Sequence, residues 1–135
     1  MAFDKLATIR RSSEPPVRRT GAYIVYLGLT PKAAERGLAE LPEPRIGDSF
    51  RLLPGAAITF GKSRLCEVTL PTDDLSRAHA MISFVPGDAF QLLLVDLLSK
   101  NGTWVEGRSA PLHYLGPGGE FELARCYRFR CQPAP

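Results

Sequence analysis

Apolar residues in this chain come in short runs, and turn-forming residues punctuate them from end to end. Residues 22–27 (Ala-Tyr-Ile-Val-Tyr-Leu), 50–53, 57–60, 67–70, 79–84, 90–96, 103–105, 112–115, 120–123 and 127–131 each read as a strand. Between them stand Pro54-Gly55, Pro86-Gly87-Asp88, Asn101-Gly102 and Gly116-Pro117-Gly118-Gly119. Many short strands with evenly spaced turns specify an antiparallel sandwich or barrel. The nearly all-apolar run 90–96 is expected to be covered on both faces. Asn101-Gly102 reads as a tight turn across which 103–105 pairs back. One stretch breaks the pattern. Thr30 is a candidate helix cap and Pro31 a first helical residue, so a short helix is expected within 31–41. Gly37 weakens its middle and Pro42 ends it. Residues 28–48 therefore form an insertion between two strands.

At 135 residues the chain suits one domain and buries a core without metals or disulfides. The domain is expected over 21–135. Residues 1–20 read as a flexible basic arm, with Arg10, Arg11, Arg18 and Arg19 around Ser12-Ser13 and Pro15-Pro16 and little apolar periodicity. Thr8, Ser12, Ser13 and Thr20 lie near these arginines, as sites for a base-directed kinase often do. A formal charge of +3 is too small to argue for a nucleic-acid partner. Cys66, Cys126 and Cys131 are odd in number and lack CxxC spacing, which predicts free thiols in a reducing compartment. No signal peptide is visible and no run approaches the roughly 20 apolar residues of a membrane span. The expectation is a soluble cytoplasmic protein with no membrane partner, metal or cofactor.

Three polar clusters sit at the ends of the strands: Gly61-Lys62-Ser63, Leu75-Ser76-Arg77-Ala78-His79 and Ser99-Lys100-Asn101-Gly102-Thr103-Trp104. They offer cations, hydroxyls, an amide and backbone N–H groups, an inventory suited to a phosphate and the peptide that carries it. Other readings fit less well. Gly61-Lys62-Ser63 lacks the upstream spacing of a nucleotide-binding P-loop. Ser76, His79 and Asp96 would need triad geometry and have no nucleophile-elbow pattern. His79 reads as a loop brace, His113 as a surface or half-buried strand residue, and Trp104 as core or sheet surface. Arg125, Arg128 and Arg130 read as a solvated face of the last hairpin. Asp73 and Asp74 beside the second cluster are expected to disfavour acidic ligand residues and favour basic ones.

With these residues in view, 57–132 resembles the forkhead-associated (FHA) domain. That family's pattern is Gly-Arg, then Ser-x-x-His, then Asn-Gly-Thr with a closing Asn-Gly. Here it stands as Gly61-Lys62, Ser76-Arg77-Ala78-His79, Asn101-Gly102-Thr103 and Glu106-Gly107. The resemblance implies an all-β sandwich of about eleven strands that binds phosphothreonine peptides through loops at one end. It implies that Lys62, Ser76, Arg77, Lys100 and Asn101 contact the phosphopeptide. Gly61, His79, Gly102 and Thr103 support the loops, with Gly61 and Gly102 supplying turns and positive φ. The partners implied are a phosphothreonine protein and a Ser/Thr kinase, and the role is adaptor or regulator, not enzyme. In some similar small bacterial proteins the phosphorylated arm fills the domain's own pocket and switches it off, and Thr8 or Thr20 could do so here. Lys62 keeps the charge of the family's Arg but loses its two-pronged grip, which predicts weakened binding. The alternative is a phosphate-independent interaction domain with a degenerate pocket.

Overall fold

The computed structural model describes residues 21–134 except positions 86 and 88. The expectations for the arm, and for the Pro86 and Asp88 positions of one turn, lie outside the described residues. Among the described residues eleven strands form two sheets. They are β1 (Ala22–Leu29), β2 (Ser49–Leu52), β3 (Ala57–Gly61), β4 (Val68–Thr69), β5 (Ala80–Phe84), β6 (Leu92–Asp96), β7 (Thr103–Val105), β8 (Arg108–Ser109), β9 (Leu112–Leu115), β10 (Glu120–Leu123) and β11 (Tyr127–Pro133). One sheet has the order β2-β1-β11-β10-β7-β8 and the other β4-β3-β5-β6-β9. Pairing is antiparallel except for the short parallel pair β3–β4. The predicted sandwich is the observed one.

Period two explains the core. In β1, Ala22, Ile24 and Tyr26 face inward and are fully buried, while their neighbours are partly exposed. Phe60 of β3 crosses to the opposite sheet and packs edge-on against Phe121 and Phe129, with ring centroids 5.7 and 5.2 Å apart. Such pairs contribute about 0.5–1.5 kcal/mol each beyond area burial. Phe60 immediately precedes Gly61-Lys62, so a fully buried ring of the core fixes the start of the first polar cluster.

Three expectations need correction. Only Leu92 and Leu94 of β6 are buried; Leu93 and Val95 are half-buried, because they face outward from a sheet whose outer surface carries no second layer among the described residues. β7 does not fold back on β6. It joins the other sheet, pairing with β10 and β8. Asn101-Gly102 therefore belongs to a crossover between sheets, with Gly102 at φ 87° and Leu98 at φ 58° turning the chain out of β6. The real hairpin turn is Glu106-Gly107, at φ 51° and 76°, which leads into β8, a strand not anticipated.

In the insertion, α1 spans Pro31–Glu35, with the Thr30 hydroxyl capping the Ala33 N–H at 3.2 Å. Gly37 at φ 84° stops it, and a 3-10 turn follows over Leu38–Glu40. Buried Ala33 and Leu38 hold this segment on the core. Among the described residues no helix is long and apolar enough to cross a membrane. The three cysteines are buried free thiols.

Candidate functional site

The first two polar clusters meet because Gly61 has no side chain. A Cβ there would stand 2.1 Å from the Arg77 carbonyl oxygen, well inside contact distance. This close approach, not a positive φ, is what requires glycine. It allows the Lys62 N–H to donate to the Ser76 carbonyl at 3.0 Å and the Ser63 N–H to the Arg77 carbonyl at 3.1 Å. The Cys66 thiol also donates to the Arg77 carbonyl, at 3.3 Å.

His79 joins the second cluster to the third. Its Nδ1 accepts the Ser76 N–H at 3.1 Å, so Nε2 carries the proton and donates to the Gly102 carbonyl at 2.8 Å. The ring is fully buried, and desolvation pushes its pKa below the usual 6.5. Neutral His79 is the form that fits, since a second ring proton would face the Ser76 N–H. The Lys100 N–H donates to Ser76 Oγ at 3.0 Å, and Asn101 Nδ2 donates to the Asp74 carbonyl at 2.8 Å. Because Ser76 Oγ accepts here, its own hydrogen is free to point outward. Asn101 keeps one amide hydrogen and its Oδ1 available.

Beneath the rim, Asp96 holds the crossover. Its carboxylate accepts the Ser99 N–H at 3.0 Å, the Ser99 hydroxyl, and the buried Thr103 hydroxyl at 2.7 Å. Ser99 Oγ in turn accepts the Gly102 N–H at 2.9 Å. Burial raises the Asp96 pKa, but hydrogen bonds from Ser99 and Thr103 outweigh it and leave the carboxyl below its usual range. The Trp104 indole donates to the Asn101 carbonyl at 2.9 Å.

Lys62 Nζ lies 3.0 Å from the exposed Asp73 carboxylate. The hydrogen bond and charge of Lys62, with a smaller contribution from the charge of Lys100, hold the Asp73 carboxyl below the usual carboxylate range. Lys62 thus holds an anionic group on the loops whose backbone bonds tie Lys62 and Lys100 to Ser76. Arg77 differs: it enters through its carbonyl, and among the described residues no hydrogen bond or ion pair ties its exposed guanidinium to these groups. Asp74 is not an unpaired acid. One carboxylate oxygen meets Arg36 at 2.7 Å and the other accepts the Thr72 hydroxyl at 3.1 Å.

Several contributors had little sequence signal. Arg36 is 38 positions from Asp74, and Asp73 reads as an ordinary loop acid. The Asp96-x-x-Ser99 spacing is the one local hint, since a carboxylate followed three residues on by a hydroxyl often closes a turn. His113, expected at the surface or half-buried, is half-buried and bonds the Thr103 carbonyl at 3.1 Å. Ser76, His79 and Asp96 do not form a triad: both nitrogens of His79 are engaged by backbone, and Asp96 bonds Ser99 and Thr103. Among the described residues no group of three or more His, Cys, Asp or Glu gathers as for a metal.

Comparison with known proteins bears on the family and the fold. Residues 58–124 match the sequence model of the FHA domain. No curated protein matches the chain. Among solved structures, the FHA domain of CT664 from Chlamydia trachomatis is similar, with TM-score 0.65 and 24% identity over 86% of this chain and 100% of that one. The FHA domain of a hypothetical protein from Arabidopsis thaliana gives TM-score 0.65 and 22% identity over 93% and 96% of the two chains. The MEK1 FHA domain, solved in complex with a phosphothreonine peptide of HOP1, gives TM-score 0.60 and 15% identity over 86% and 99%. With the profile match spanning all three polar clusters and the fold shared across these structures, the chain belongs to the FHA domain family.

Proposed function

We propose that this protein is a phosphothreonine-binding interaction module, acting as a cytoplasmic adaptor or regulator in Ser/Thr kinase signalling. FHA relatives are interaction modules rather than enzymes, and phosphothreonine-dependent binding is described among them. The observation that carries the reading is the Asp73 carboxylate held by Lys62 at 3.0 Å, on loops where the Lys62 N–H bonds the Ser76 carbonyl and the Lys100 N–H bonds Ser76 Oγ. A ligand phosphate has more charge and more acceptor oxygens than that carboxylate and would displace it. In this reading Ser76 donates to a phosphate oxygen, Lys62 and Lys100 neutralise it, and Asn101 bonds the peptide backbone. Hydrogen bonds to charged groups contribute about 1.5–3 kcal/mol each. Three or four supply much of the roughly 8 kcal/mol behind micromolar affinity.

The test is a phosphothreonine peptide library read by fluorescence anisotropy. Binding should require phosphate, prefer threonine over serine, and be lost in Ser76→Ala and Asn101→Ala. Binding to unmodified partners that survives both changes would instead establish the phosphate-independent alternative, which the Lys62 substitution favours.

Self-docking of the arm is constrained by where β1 begins. Ala22 pairs with Pro133, whereas the other end of β1 meets the 124–126 turn beside Gly102. β1 has 8 residues, a span of about 27 Å at roughly 3.4 Å per residue. Thr20 directly precedes Gly21, so self-docking through Thr20 has little chain with which to span that distance. Thr8 is separated from Gly21 by enough chain to reach, at most about 45 Å when extended.

A further inference from the structure

Against Asn101, a groove of about 490 Å³ that Lys62 does not line runs between α1 and the β10–β11 turn. Lys32, Arg36, Asp74, Trp104 and Arg125 line it together with Asn101. A second groove shares Lys32 and Arg125 and continues to Arg128. Two carboxylates are present, and both are already paired: Asp74 with Arg36 at 2.7 Å and Glu122 with Arg125 at 3.2 Å. Among the described residues neither Lys32 nor Arg128 has an ion-pair partner.

The groove is held in shape. Ala124 and Arg125 form a two-residue turn with φ of 56° and 60°, a left-handed conformation that costs each non-glycine residue on the order of 1 kcal/mol. Three bonds pin it there. The Ala124 N–H donates to the Gly102 carbonyl at 2.9 Å, the Thr30 hydroxyl to the Arg125 carbonyl at 2.7 Å, and the Thr30 N–H to the Cys126 carbonyl at 2.8 Å. The Arg125 guanidinium lies 4.7 Å over the Trp104 ring, and the same indole braces Asn101. The cap of α1, the strained turn and the Asn101 loop are one connected unit. The insertion therefore places its cations at a fixed position relative to the candidate phosphate socket.

The geometry points to a second recognition surface: this basic groove reads acidic side chains of the same phosphorylated segment, on the side of the phosphothreonine that Asn101 faces. The inference rests on the function proposed above and adds the class of sequence that the ligand carries. It reverses the expectation at Asp74, whose charge is met by Arg36.

The experiment compares phosphothreonine peptides with three Glu residues before the phosphothreonine, three after it, or Ala at all six positions. Binding is read by anisotropy in 0.1 M salt, where charges act over about 10 Å. One acidic arrangement should bind at least about fivefold tighter than the Ala peptide, and 0.5 M salt should shrink the ratio. In a Lys32→Ala/Arg128→Ala double variant the ratio should fall toward one while affinity for the Ala peptide holds. Both side chains lie outside the socket, and a thermal melt checks that the variant is folded. Equal binding of all three phosphopeptides, or a preference that survives the double variant, overturns the inference alone. If no phosphothreonine peptide binds, the function proposed for the socket falls and the groove's role falls with it.

Discussion

Replacing His79 should separate the two bonds that hold the site together. His79→Phe keeps an apolar ring of similar size but removes both. The Ser76 N–H then has no acceptor, at a cost of about 1–3 kcal/mol for a group out of water. The Gly102 carbonyl keeps the Ala124 N–H at 2.9 Å, so its loss is nearer the ordinary 0.5–1.5 kcal/mol. The total is about 1.5–4.5 kcal/mol. At roughly 4 °C per kcal/mol for a domain of this size, Tm should drop by about 6–18 °C. Two further variants rank the bonds. In His79→Asn the shorter amide reaches only where Nδ1 stood, and its oxygen can accept the Ser76 N–H. In His79→Gln the longer amide reaches only where Nε2 stood, and its nitrogen can donate to the Gly102 carbonyl. The Ser76 end has no substitute partner and the Gly102 end has one. His79→Asn should therefore retain more stability than His79→Gln, and both more than His79→Phe. Thermal melts by circular dichroism measure the order, and anisotropy measures phosphopeptide affinity alongside. A Phe variant that melts within about 2 °C of the parent with undiminished binding would refute the role of His79 as the brace.

Further outcomes follow from neighbouring groups. Since burial holds the folded pKa of His79 below 6.5, the unfolded chain takes up the proton first as pH falls. Stability from this group is complete above pH 6.5 and declines below it by up to about 1.4 kcal/mol per pH unit, until the folded pKa is reached. Urea midpoints at pH 7.5 and 5.5 should show the slope, and His79→Phe should flatten it; the lowered carboxyls, Asp96 among them, act only at more acidic pH. Gly61→Ala should force the 70–79 loop off β3, weakening the bonds from Lys62 and Ser63 to it, with a loss of about 1–3 kcal/mol by chemical denaturation and reduced peptide affinity. Asp73→Asn frees Lys62 and should raise phosphopeptide affinity about two- to fivefold without changing Tm, a modest gain because the pair is exposed.

Much of the fold was legible because β1, β5 and β11 alternate buried and partly exposed residues with period two. β8 was not, because Arg108-Ser109 is polar and exposed on both sides and carries no such signal. Asn101-Gly102 was misassigned because a glycine at positive φ serves a crossover as well as a hairpin. Only the pairing of β7 with β10 separates the two, and that is a long-range fact. In the candidate site, Lys62, Ser76, Lys100 and Asn101 were readable as residue types at strand ends. Their charge balance was not, since Arg36 reaches Asp74 from a distant insertion and Lys62 meets Asp73 across a loop. Trp104 read as a sheet residue, and its half-buried position fits that. Its bond to the Asn101 carbonyl depends on a side-chain direction that no local pattern encodes.

The distribution of burial explains why recognition and folding can be tuned apart. Phe60, His79 and Thr103 are fully buried, and Gly61 is locked against the Arg77 carbonyl, so the backbone of the rim is fixed before any ligand arrives. Such preorganisation lowers the entropy that binding would otherwise lose. The polar tips of Lys62, Lys100 and Asn101 lie outside this framework, and Ser76 contributes its hydroxyl from a partly exposed position. Ser76→Ala removes one bond, from the Lys100 N–H, and Asn101→Ala one bond, to the Asp74 carbonyl. Each should cost folding no more than about 1.5 kcal/mol while removing a group proposed above to meet the phosphopeptide. At Gly61 and His79 the same atoms shape the rim and hold the loops together, so stability and affinity must fall together. A substitution series across these four positions should therefore split into two classes on a plot of affinity against Tm.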